Sequence, residues 1–312
     1  MGGVRRALRL LRNRNVALAA GFFLGLILGP EIARLFVPLA LPLLGLVIAV
    51  TASEVSLRAF RHGRQVLAGT GLAVLSSYVI DSGAILLLAR LLVPEPELYT
   101  GFVLVAAAPP AASALGFCLA VRGNVTLSLI GTIGAYVVAP FIGPLIAILF
   151  AGQGLIRPEQ LFTSLVQLIL IPFALSRVLR LRQVLPYTRR WRDVVLGWGY
   201  GIVLLTVVGA NRNTFFREPA LVGLIALVSV LTTFGLGALL EWVMGRLHVA
   251  ANTRASLLLL STLKNSGFAA AVALTLVSLR ASLPGAIVTI VEAIFLIFLG
   301  LRVERQTSCP PD

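Results

Sequence analysis

The chain of 312 residues is 58% hydrophobic and 12% charged, with a mean hydropathy of +0.98, which excludes an ordinary soluble domain. Its apolar runs of about twenty residues, longer than the roughly ten of a barrel strand, indicate an all-α membrane protein and exclude a transmembrane β-barrel. The net charge of +14 sits in arginines placed between those runs, so it reads as membrane topology and gives no nucleic-acid-binding face.

Residues 1–15 form a basic arm with Arg5, Arg6, Arg9, Arg12 and Arg14, and MGGVRRALRLLR has the pattern of an interfacial amphipathic helix. No cleavable signal is expected, because no small-residue cleavage site and polar mature region follow the first apolar run. Ten spans are then predicted: 16–29, 33–52, 66–89, 98–121, 124–150, 160–176, 194–210, 219–242, 255–279 and 284–301. A tail covers 302–312. With ten spans both termini share one side. Nineteen arginines then fall on that side and six on the other, which predicts cytoplasmic termini in a bacterial-type inner (plasma) membrane, with 177–193 as the longest cytoplasmic loop.

The spans divide into two five-helix halves, 16–150 and 160–301, joined by GQGLIRPEQ. An odd number per half gives the halves opposite orientations, the inverted repeat of many secondary transporters. The fourth span of each half carries an interruption. In the first half it is Pro109-Pro110, inside VLVAAAPPAASALGF. Adjacent prolines remove two donors and free the carbonyls near Val105, Ala106 and Ala107, which then need a substrate, an ion or a polar side chain. In the second half it is Lys264-Asn265-Ser266-Gly267. Matched interruptions point to a binding site near the membrane midplane.

Lys264 is the one lysine of the chain, ten residues past Arg254 and so about 15 Å along a helix. A lysine side chain, roughly 6 Å long, does not reach an interface from that depth, so a buried partner or a cavity is expected. Glu292, ten residues before Arg302, lies at the same depth and is the expected ion-pair partner. Asp81, in the third span, is the second candidate. No Ser-His-Asp set, metal-ligand cluster or phosphate-cradling loop is present, which argues against an enzyme and a bound cofactor. Cys118 and Cys309 give no disulfide framework.

With these residues in view, the chain resembles the bile acid:sodium symporter family. The resemblance is carried by APPAASALGFCLAVRGNVTLSLIGTIGAYVVAPFIGPLI (108–146), by LKNSGFAAAVAL and by SLPGAIVTIVEA. It implies a panel domain of spans 1, 2, 6 and 7, a core domain of spans 3, 4, 5, 8, 9 and 10, and broken helices of spans 4 and 9 that cross beside a substrate cavity. It also implies that Ser128 and Thr132 match sodium-binding hydroxyls and that Asn265 is the crossing-point asparagine. The family's ninth-span glutamate falls on Leu260 and its Gln on Lys264. Its fourth-span Ser-Asn pair falls on Ala114 and Leu115, one position from Ser113. Its tenth-span His or Gln becomes Glu292.

The expectation is therefore a secondary transporter of a small organic, anionic solute, working by alternating access and without the family's two-sodium mode. Half-helix N-termini would supply the anion's site. Proton coupling, a sodium symporter with a rearranged site, and a non-transporting sensor or scaffold of the same fold stay open. The candidate site comprises Lys264, Asn265, Ser266, Glu292, Asp81, Pro109, Pro110, Ser113, Ser128 and Thr132. The partners expected are the solute and the lipid bilayer.

Overall fold

The structure, a computed structural model, describes residues 13–53, 63–111, 113–151 and 157–308. Most of the basic arm, the loop arginines Arg58 and Arg61, part of the segment joining the halves, and residues 309–312 lie outside them. The described residues are mostly helical and form no strand. In chain order the helices are α1 (Arg14–Ser53), α2 (Gly63–Leu92), α3 (Pro96–Ala107), α4 (Ser113–Ala120), α5 (Val125–Phe150), α6 (Pro158–Leu179), α7 (Leu185–Ala210), α8 (Arg212–Arg217), α9 (Pro219–Arg246), α10 (Ala251–Thr262), α11 (Ser266–Leu276) and α12 (Leu283–Ser308). Among the described residues seven helical segments are long and apolar enough to cross a membrane, and α3 and α11 are shorter apolar helices.

The first two expected spans are arms of one helical segment, α1. At Gly29 the backbone turns to φ 73° and ψ −173°, and Pro30 follows. A positive φ is cheap for glycine, and the proline ring cannot continue the preceding helix. Contacts with α7 show that the chain doubles back there. On the first arm Gly21 meets Gly201 and Gly25 meets Leu205 and Gly209, whereas on the second Ala33 meets Gly209 and Val47 meets Gly199. A Cβ on Gly21 would sit 2.1 Å from the Gly201 carbonyl oxygen, so backbones approach here as they do at small-residue interfaces in lipid. Arg212 closes the bend, donating from Nε to Leu26 O at 2.7 Å.

Two boundaries differ from expectation. The loop at 177–193 is mostly helix, because α6 runs to Leu179 and α7 starts at Leu185. Arg177, Arg189, Arg190 and Arg192 lie in the helix ends, and Arg180 and Arg182 in the turn between them, as charged residues do outside an apolar layer. The tail likewise continues α12 as far as Ser308.

Large apolar side chains such as Ile27, Leu35, Leu67, Leu91, Phe141 and Leu170 point outward, an arrangement that lipid satisfies and water does not. The opposite balance holds inside. Ser77, Asp81, Ser82, Ser128, Lys264, Asn265, Ser266 and Glu292 are all buried.

Candidate functional site

The site is built where two chain segments leave the helical path. α3 ends at Ala107, and Ala108 is extended at φ −68°, ψ 146°. α10 ends at Thr262, and Leu263 is extended at φ −118°, ψ 110°. Pro110 and Lys264 face each other in an isolated antiparallel bridge. The main-chain N–H of Ala111 donates to Leu263 O at 2.9 Å, and that of Asn265 donates to Pro109 O at 2.8 Å. The two facing residues are thus a non-hydrogen-bonded pair, whose own N–H groups point away from the partner. That is the one place in such a ladder where proline costs nothing, and Pro110 occupies it. Lys264, opposite, has an outward N–H that must be satisfied inside the protein. Glu292 of α12 satisfies it, Oε1 accepting at 2.7 Å. Its other oxygen accepts from the Ser266 hydroxyl at 2.7 Å.

The Lys264 side chain leaves in a different direction. Its Nζ lies 2.9 Å from Ser77 O, 3.1 Å from Ser77 Oγ, 2.9 Å from Ser82 Oγ, 3.2 Å from Ala106 O and 3.1 Å from Ala108 O. The ring centre of Tyr78 is 4.6 Å away, within cation–π range. These oxygens come from two sources. Ala106 and Ala108 present the carbonyls freed where α3 stops before the prolines. Ser77 sits in a π-helical turn, Leu75–Asp81, within α2. Such turns widen the helix and recur at functional sites. Ser82 also donates to Ala106 O at 2.7 Å, tying the π turn to the end of α3.

The expected ion pair between the Lys264 ammonium and Glu292 is therefore not the arrangement found. Glu292 is a neighbour of Lys264, as expected, but the extended backbone sends the N–H and the side chain of Lys264 to different neighbours. Glu292 takes the N–H, and neutral oxygens take the ammonium. Asp81 is buried in the π turn, and its Oδ2 has no hydrogen-bond partner among the described residues. Asp81 and Glu292 both lie near enough to interact with the ammonium through space.

The remaining candidates lie around this crossing. Asn265 caps α11, its Oδ1 accepting from Phe268 N–H at 3.4 Å, and its Nδ2 donates to Tyr136 Oη on α5 at 3.1 Å. Ser113 starts α4 and faces a small cavity beside the crossing. Ser128 and Thr132 lie one turn apart on α5, outside the set of oxygens around Nζ. Both are buried, and their hydroxyls have no partner among the described residues. Leu260 is fully buried and packs beside Gly131, between them in sequence.

Sequence reasoning missed Ser77, Tyr78 and Ser82. The signal was SSYVIDS, residues 76–82, five polar residues in seven within an apolar span. It also missed a cluster at the other ends of the helices. Arg280 pairs with Glu95 through Nε and Nη2 and with Glu218 through Nη1 and Nη2. Glu97 accepts from Ser278 at 2.7 Å. Glu95 and Glu218 precede the prolines that open α3 and α9, so each carboxylate also lies at a positive helix end. The Arg280 hydrogen bonds hold the Glu218 carboxyl below its ordinary range.

Comparison with known proteins places the chain beside a curated relative and a family model. A curated relative, "Uncharacterized sodium-dependent transporter YocS" of Bacillus subtilis (strain 168), is 25% identical over 198 residues, which is 62% of this chain and 60% of the relative. The chain thus spans about 60% of the length of the curated relative it matches. The model of the sodium bile acid symporter family matches residues 4–215, ending before Lys264 and Glu292. With most of its length matched, and with a helical structure holding multiple segments able to cross a membrane, the chain belongs to the sodium bile acid symporter family.

Proposed function

We propose that the protein is a secondary transporter of a small organic solute in the plasma membrane, working by alternating access without sodium as the coupling ion. In this reading the two arms of α1, the α3–α4 and α10–α11 pairs, and α2, α5, α6, α7, α9 and α12 make ten passes, arranged as inverted halves over 16–150 and 160–301. Spans 4 and 9 are the broken crossing helices, and both termini are cytoplasmic. α1, α6 and α7 form the panel, and the other passes form the core. Lys264, Asn265, Ser266, Glu292, Asp81, Pro109, Pro110 and Ser113 serve the crossing.

One observation carries the coupling assignment: the Lys264 ammonium lies among five neutral oxygens at 2.9–3.2 Å. Oxygens in that number are what a bound alkali cation would need, and here a tethered cation has them. A fixed positive charge repels a second cation close by, and Leu260 supplies no carboxylate to offset it. A second reading, sodium coupling through a rearranged site, is favoured by the buried hydroxyls of Ser128 and Thr132 and by the relative's printed name.

The test is uptake of small organic solutes into proteoliposomes, with sodium or potassium as the external cation. Uptake above that of protein-free liposomes, equal in the two salts, is expected. In Lys264→Gln sodium should instead stabilise the protein against heat more than potassium does, because the oxygen set has lost its own cation. Strong, saturable stimulation of native uptake by sodium favours the second reading. Absence of uptake of every solute favours a sensor or scaffold.

A further inference from the structure

The expectation of an anion places it at the half-helix N-termini of both interruptions. At the start of α11 the protein's own groups occupy that place. Asn265 accepts from Phe268 N–H, and the Glu292 carboxylate lies on Lys264 N–H and the Ser266 hydroxyl. The positive helix end has an anion already, and it is covalently part of the chain.

Beside the crossing lies a cavity of about 20 Å³ whose polar wall is Ser113, Tyr200, Asn265, Ser266, Thr289 and Glu292. Glu292 is the one carboxylate among its lining residues. Lys264 contributes to the wall, but none of the residues that hold its ammonium or stack on it (Ser77, Tyr78, Ser82, Ala106 and Ala108) does. The cation is turned away, and the acidic group beside the cavity is the Glu292 carboxyl. A second void of about 10 Å³ shares Tyr200, Gly267 and Thr289 and is otherwise walled by Val203, Leu204, Val207, Ala270 and Ala286. The two voids lie where α7 meets α11 and α12, and separation of α7 from these helices would merge and enlarge them. Such a space has an acidic, hydrogen-bonding end and an apolar end.

Resting on the transport reading, we infer that the solute is a small organic cation, with a protonated amine directed at Glu292 and an apolar body along Val203, Leu204 and Val207. An organic carboxylate in the same place meets like charge and is rejected.

Matched probes test this: 2-phenylethylamine against phenylacetate and 2-phenylethanol, and butylamine against butyrate and butanol. The measurement is thermal stabilisation of the purified full-length protein over a concentration series. Both amines are expected to stabilise the native protein at concentrations at least about tenfold below those of their carboxylate partners. Glu292→Gln should lose that preference, and Glu292→Asp, which keeps the charge, should retain it. Carboxylates that stabilise the native protein better than amines, or amines that do not stabilise it, overturn the inference without any variant. So does an amine preference that persists undiminished in Glu292→Gln. Counterflow of the stabilising probe in proteoliposomes separates this inference from the reading beneath it. A bound amine that never exchanges across the membrane defeats transport and leaves the inference, whereas an exchanged carboxylate does the reverse.

Discussion

Lys264 and Arg280 are both held by several oxygens, yet the oxygens are of opposite kinds. Lys264 is buried and surrounded by carbonyls and hydroxyls. Arg280 has a side chain about one-third exposed (33%) and is gripped by two carboxylates. The difference follows from solvent. Near water, two carboxylates can converge on one guanidinium at little desolvation cost, and their worth is correspondingly small. In the interior each charge must give up its hydration, and there neutral carbonyls and hydroxyls make the direct contacts to the ammonium while Asp81 and Glu292 stand further off. Glu292 meanwhile accepts from the Lys264 main chain and the Ser266 hydroxyl. The outer cluster joins three helix starts, whereas the inner one joins two helix breaks to a π turn.

The sharpest way to break the comparison is Lys264→Met. It keeps the main-chain bond to Glu292 but takes the ammonium from Ala108 O and its neighbours and leaves Asp81 without a nearby cation. Loss of one partner from a buried charged set costs about 3–5 kcal/mol, and a destabilisation of that size is expected in thermal or denaturant unfolding of the purified protein. A change near zero would mean that the oxygens around Nζ are satisfied without it.

Glu292→Leu should cost less, about 1–3 kcal/mol, because it orphans one buried N–H while the Ser266 hydroxyl keeps Thr289 at 3.0 Å. Glu292→Gln should cost less again, since an amide oxygen still accepts from Lys264 N–H. Losses in the double variant Lys264→Met/Glu292→Leu should approach the sum of the single losses, because the two substitutions remove different contacts. A double variant nearly as stable as the native protein would instead restore a direct ammonium–carboxylate pair.

How far these details are legible in the sequence depends on the kind of residue. A lone lysine, a buried glutamate and a double proline stand out in apolar spans because lipid has no use for them, and the structure brings all three together at the Pro110–Lys264 bridge. The partners of Lys264 do not stand out in this way. They depend on the direction in which an extended residue sends its N–H and side chain, and that is decided by a bridge between residues 154 positions apart. Ser77 and Ser82 are hydroxyls of a type that helices absorb by bonding to their own carbonyls, so neither advertises a cation. The bend at Gly29-Pro30 is readable from its residue types, whereas the doubling back on α7 rests on backbone approaches visible only in three dimensions. Arg280, Glu95 and Glu218 lie in loops in which charge is ordinary, and their convergence has no local signature.

The smallest effect concerns the outer cluster and has a definite sign with pH. Arg280 holds the Glu218 carboxyl below its ordinary value of 4.5 in the folded protein. A depressed carboxyl contributes stability that is fully present above the unfolded value and is lost as pH falls through the folded one. Its window therefore lies below 4.5. Glu218→Gln removes the titrating group. The melting temperature of the native protein should exceed that of Glu218→Gln by a small, constant amount from neutral pH down to about 4.5, and the gap should close on further acidification. Added salt should narrow it at neutral pH, because the pair is exposed enough to be screened. A gap that widens on acidification would mean that Glu218 is favoured in its protonated form, and the contrast between the screened outer pair and the unscreened inner cation would then have to be redrawn.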